Sequence, residues 1–170
     1  MKAFSLFFIA LGFSLGISAQ QPATELLNDA LVKAKKENKN IMIKFEASWC
    51  GWCHRMTKQL KDERVKEYFE SNYVIVPIVA MESPKNKHLE NPGSNDVLAD
   101  YGGAKAGLPF FVIIDPEAVV LTNSFNDFGQ NLGCPASPQE VDAFIKKLEA
   151  TSDLSAADVT NITEVFTLKK

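Results

Sequence analysis

Two periods of apolar residues alternate along the chain. From Ile41 to Glu46, Ile41, Ile43 and Phe45 recur at every second position, the period of a strand. Tyr73 to Ala80 is a nearly continuous apolar run, which suits a strand covered on both faces in a mainly parallel sheet. Pro109 to Ile114 is a third strand. Asp115-Pro116-Glu117-Ala118 turns the chain, and Val119 to Ser124 returns as its hairpin partner. Between the strands the period is helical. Leu27, Ala30, Leu31 and Ala34 share one face of a helix over Pro22 to Lys36, with Lys33, Lys35 and Lys36 near its C-terminal end, where the dipole favours cations. Met56 and Leu60 predict a helix from Cys50 to Leu60. Val65, Tyr68 and Phe69 predict a second from Asp62 to Glu70, capped by Asp62. Ser94 to Tyr101 is a short helix capped by Ser94 and ended by Gly102-Gly103. Ser137 to Ala150 carries Pro138 in its first turn and turns Val141, Phe144, Ile145 and Leu148 inward. Glu82 to Gly93 and Asn126 to Ala136 read as loops. The order α-β-α-β-α-β-β-α implies an α/β domain, a sheet between layers of helices.

Composition narrows the picture. A chain of 170 residues with 46% hydrophobic content suits one domain with an ordinary core. A net charge of -3, with no basic stripe, argues against a nucleic-acid partner. Residues 1–19 read as a cleavable signal peptide: Lys2, an uncharged and mostly apolar Phe4 to Ile17, then Ser18-Ala19 before Gln20. The competing reading is an uncleaved anchor, for which the stretch is short. No cysteine lies near the cut to take a lipid. The mature chain then divides into a domain over 22–150 and a C-terminal extension over 151–170, where Val159, Ile162, Val165 and Phe166 offer one further short helix. All three cysteines fall in the exported part, which predicts a periplasmic or secreted, oxidising location. The odd count leaves one unaccounted for.

The candidate chemistry lies in Cys50-Gly51-Trp52-Cys53-His54, where a strand hands over to the first turn of a helix. The first N–H groups of a helix lack internal partners and carry partial positive charge. A Cys50 thiolate there gains up to ~2 kcal/mol. Cys53, one turn on, is close enough to close a disulfide with it. A reactive thiolate with a resolving thiol is the minimum equipment for thiol–disulfide exchange. A purely structural bridge over so few residues would constrain the unfolded chain little. The same letters also spell C-x-x-C-H, the pattern of c-type haem attachment, and Cys50, Cys53 and His54 form an incomplete set of zinc or copper ligands. His54 shares a helix face with Cys50, either to assist its thiolate or as a solvated first-turn residue.

Phe45, the Trp49-Cys50-Gly51-Trp52-Cys53 stretch and the distant Gly107-Leu108-Pro109-Phe110 resemble the thioredoxin superfamily, above all its secreted bacterial thioredoxin-like members. The resemblance covers Pro22 to Ala150. It implies a thioredoxin fold, a central mixed β-sheet with helices on both faces. It also implies that Cys50 is exposed and attacks the substrate disulfide, while Cys53, more buried, resolves the mixed disulfide. Pro109 is implied to be cis, facing the cysteines. Trp49, Gly51, Trp52, Leu108 and Pro109 then shape the substrate groove; Trp49 and Trp52 read equally as packing aromatics. No cofactor is implied beyond the Cys50–Cys53 redox disulfide, and no metal. The implied partners are protein disulfides or thiols and a separate electron donor or acceptor protein. Gly51 leaves no His between the cysteines, which points toward a reductase. The chain also departs from the pattern. Lys44 stands where thioredoxin has a buried Asp, and Trp52 replaces a Pro. Glu46, on the same strand face as Lys44, is the candidate for moving the proton of Cys53, or else only its ion-pair partner. Cys134 is either a third redox thiol or an inert one. The alternative from another class is a non-catalytic thioredoxin-like module that binds a partner or a metal.

Overall fold

The computed structural model describes residues 20–168; the expected signal peptide lies outside them. The strands are β1 (Asn40–Glu46), β2 (Tyr73–Val79), β3 (Phe110–Ile114) and β4 (Val120–Asn123). They form one sheet in the order β2-β1-β3-β4. β1 runs parallel to β2 and antiparallel to β3, and β3 pairs antiparallel with β4, so the sheet is mixed. The helices are α1 (Ala23–Glu37), α2 (Gly51–Leu60), α3 (Lys66–Asn72), α4 (Ser94–Asp100), α5 (Pro138–Glu149) and α6 (Ala156–Phe166). This is the thioredoxin fold.

Side chains alternate across the pleat and build two cores. Ile41, Ile43, Phe45, Phe110, Val112 and Ile114 face α1 and α4. Met42, Phe111 and Ile113 face α2, α3, α5 and α6. Lys44 follows Met42 on that second face, and its ammonium reaches Thr57 of α2. The extension is part of this core. Phe166 of α6 is fully buried, with its ring 5.1 Å from Phe144 and 6.2 Å from Phe69.

Four expectations need correction. The helix expected from Asp62 starts at Lys66, with Val65 as its N-cap. The Asp62 carboxylate accepts from the Arg64 N–H and guanidinium instead, a local turn that competes with capping. Ser94 does not cap α4: Gly93, at φ 75°, takes that place, and the Ser94 hydroxyl is buried. The expected loop from Glu82 contains a 3-10 helix over Pro84–Leu89, started by Pro84. β2 is an edge strand, so Pro77 within it is exposed rather than covered on both faces. The α5 start is as expected, with Pro138 in its first turn and a full capping box between Ser137 and Glu140.

Candidate redox site

β1 ends at Glu46, and the chain turns once before α2. The Cys50 N–H donates to the Ala47 carbonyl at 3.0 Å, which closes that turn. Cys50 is therefore the N-cap of α2, and its Sγ accepts the backbone N–H of Cys53 at 3.1 Å. The two sulfurs are joined in a disulfide, with their Cα atoms 5.2 Å apart. Cys53 is fully buried. Cys50 is 4% exposed, which corrects the expectation of an open nucleophile: Ala47 and Leu108 pack against the closed pair. An N-cap sulfur that accepts a first-turn amide of its helix is the geometry that favours a thiolate once the bridge is opened.

The two tryptophans flank this pair and are exposed, Trp49 at 57% and Trp52 at 49%. Trp49 is held by its indole N–H on the Met81 carbonyl, 3.0 Å away, and Met81 has a φ of 57°. Trp52 lies under the Arg55 guanidinium, 5.7 Å from the ring centre, a cation–π contact. Gly51 is exposed, with open space around it. The Leu108–Pro109 bond is cis, and both residues line a groove of about 290 Å³ with Trp52, Gly133 and Cys134.

His54 is engaged with the backbone before Cys50. Its Nε2 lies 2.9 Å from the Ser48 carbonyl, so that nitrogen donates. Behind the pair, Lys44 is buried at 2% exposure and ion-pairs with the half-buried Glu46. The Thr57 hydroxyl receives the Lys44 ammonium at 2.8 Å and reaches the Cys53 carbonyl at 3.0 Å. The expected Lys44–Glu46 pairing is thus present, and Thr57 links it to the backbone of Cys53. Cys134 is buried, with its Sγ 3.1 Å from Gln59 Oε1. Burial pushes its thiol up to about 11, against a nearby Arg55 that works the other way. Among the described residues no cluster of three or more His, Cys, Asp or Glu side chains is arranged to hold a metal ion.

Several supporting residues escaped the sequence reading. The buried Glu82 carboxylate accepts both the backbone N–H and the hydroxyl of Ser48, tying the approach to Cys50 onto the segment after β2. Asn131 reaches the Pro109 loop from the segment after β4. Neither has a local signal, since each partner is more than twenty residues away. Thr57 had one: a Thr four residues after Cys53 bonds back to its carbonyl within a helix.

A thioredoxin fold with a Cys-x-x-Cys disulfide at the start of the helix after its central strand, opposite a cis-proline, defines the class of thioredoxin-fold thiol–disulfide oxidoreductases. Residues 23–116 match the thioredoxin-like family, and the chain belongs to it. Among solved structures it is similar to a disulphide isomerase from Xylella fastidiosa Temecula1, at a TM-score of 0.52 and 17% identity over 92% of this chain and 96% of that one. It is also similar to the oxidised C-terminal domain of DsbD from Neisseria meningitidis, at 0.48 and 20% over 79% of this chain and 100% of that one. A thioredoxin from Thermus thermophilus gives 0.48 and 20% over 77% and 84%. At 17% identity the first of these likenesses speaks to fold alone. No curated protein matches the chain significantly.

Proposed function

We propose that the protein is an exported thiol–disulfide oxidoreductase that reduces disulfides in other proteins. The observation that carries this reading is the N-cap position of Cys50, whose sulfur accepts the Cys53 N–H. In the reduced protein Cys50 is a thiolate. It attacks one sulfur of a substrate disulfide, forms a mixed disulfide, and releases the other substrate sulfur as a thiolate. Cys53 then loses its proton and attacks the Cys50 sulfur. The Cys50–Cys53 bridge forms, the second substrate thiol leaves, and two electrons have passed to the substrate. The bridged state described above is the product of this step, and a separate donor protein must return two electrons to it.

Within this reading Pro109, Leu108, Trp49, Trp52 and Gly51 form the groove against which the substrate segment lies. Glu46 takes the proton of Cys53, in place of the acid that Lys44 has displaced; Thr57, which receives the Lys44 ammonium and donates to the Cys53 carbonyl, holds the Lys44–Glu46 pair against the helix that bears Cys53. Gly51 and Trp52 put no imidazole between the sulfurs, which favours reduction over oxidation. Export rests on the signal-like pattern of residues 1–19.

Reduction of insulin by the protein with a thiol donor tests this function. Activity should vanish in Cys50→Ser. The potential of the couple should fall nearer to about −270 mV than to about −120 mV, the values of a reductant and a strong oxidant of this fold. Full activity in Cys50→Ser would overturn the proposal, and a potential near the higher value would make the protein an oxidase.

A further inference from the structure

The Pro109 loop is held from behind by one side chain. Asn131 Nδ2 donates to the carbonyls of Ala106 at 3.0 Å, Gly107 at 3.2 Å and Pro109 at 3.0 Å. An amide has only two N–H bonds, so one of them is shared between two carbonyls. The orientation of the amide is fixed independently. Its Oδ1 accepts the Gly133 N–H at 3.0 Å and the Ser124 hydroxyl at 2.7 Å, and a backbone N–H can only donate. Ser124 is fully buried, and its oxygen in turn accepts the N–H of Phe111 in β3 at 3.2 Å. The Asn131 backbone is pinned as well, by a bridge to Phe125. A continuous line of hydrogen bonds therefore runs from the sheet through Ser124 and Asn131 into the loop that faces the disulfide.

The pattern of what Asn131 does not hold is equally informative. It takes the carbonyls on both sides of Leu108. Among the described residues, the N–H and carbonyl of Leu108 itself have no hydrogen-bond partner. Leu108 packs against Cys50 and Cys53, so the residue whose peptide groups are free is also the one that touches the redox pair. Gly107, at φ 76°, makes the turn that leads into Leu108.

We infer that Asn131 is a positioning residue for protein substrates: it fixes the flanking carbonyls so that the peptide groups of Leu108 stay presented to an extended substrate backbone. This inference rests on the reading of the site as a disulfide-exchange groove. A small disulfide has no peptide backbone to align and needs only the sulfurs. A protein disulfide needs both. Asn131 therefore governs the preference for protein over small disulfides and leaves the electron affinity of the couple alone.

Asn131→Asp tests this, because it keeps the two acceptor roles of Oδ1 and removes every donor to the loop. The reaction is followed with insulin and with a small aromatic disulfide, and the potential of the couple is measured alongside. The expected result is a KM for insulin about tenfold higher with little change in kcat, a matching fall in the ratio of insulin to small-disulfide kcat/KM, and an unmoved potential. Ser124→Ala removes the anchor of the amide and leaves Asn131 in place. It should shift the same ratio in the same direction by about threefold, and it carries the test should Asn131→Asp fold poorly. An unchanged ratio in a folded variant, or equal losses on both substrates, would overturn the inference. A wild-type protein that reduces neither substrate would overturn the reading of the site, and the inference with it.

Discussion

Cys134 and Cys50 show how surroundings divide one residue type into different chemistries. Cys134 has an acceptor, Gln59 Oε1, and an apolar setting that pushes its thiol up to about 11. A thiol with its proton held so firmly is a poor nucleophile near neutral pH. In the reduced protein at pH 8, iodoacetamide should label Cys50 but reach Cys134 only after denaturant; mass spectrometry of the labelled chain decides it. The same raised value has a consequence for stability. The neutral buried thiol supports the fold fully below the ordinary cysteine range, near 9, and that support is lost as pH rises through about 11. Glu46 is the second test at this scale. Glu46→Gln should slow resolution of mixed disulfides at neutral pH by about tenfold or more, read by quenched-flow trapping. Unchanged resolution would leave Glu46 only as the partner of Lys44. The redox pair was legible because both cysteines lie within one helical turn of sequence. Glu82 and Asn131 were not, because their work depends on segments brought together only by the fold.

The elements carry the site through their ends. α2 begins at Cys50, β1 stops just before it, and the Pro109 loop opens β3. The start of α5 borders the same groove through Gly133 to Ala136. There Ser137 Oγ accepts the Glu140 N–H at 3.3 Å, and the Glu140 carboxylate accepts the N–H groups of Ser137 and Ala136. Ser137→Ala should cost about 1 kcal/mol, seen as a lower urea midpoint at unchanged slope. Element types were readable from period alone, since strands of period two and helices with one apolar stripe leave clear marks. Their starts were less so. Asp62 and Ser94 both look like caps in sequence. Arg64 draws the first into a turn, and Gly93 gives the second position a left-handed lead-in.

At the scale of the whole molecule, the two cores on either face of the sheet are unequal in how they close. The core toward α1 and α4 draws its buried residues from segments up to β3, with Phe125 packed against it, whereas the other needs α5 and α6. Phe166→Ala should therefore cost about 3–5 kcal/mol, as a fully buried aromatic does, and thermal unfolding followed by circular dichroism will show it. The sheet order β2-β1-β3-β4 could be expected only through the family resemblance, because period says which face a residue takes and not which strand lies beside it. The role of the extension was invisible for the same reason. Its apolar stripe was plain, but period does not say that it closes on Phe144 of α5 and, at a great distance along the chain, on Phe69 of α3.

That distance has a biosynthetic consequence. Gln59 donates to the Val165 carbonyl and Arg55 to that of Phe166, across 106 and 111 residues. Translation proceeds from the N-terminus, so the helix bearing both sulfurs is made long before the carbonyls that complete its far side. The far side of that helix therefore stays without these partners until residues 165 and 166 have been added.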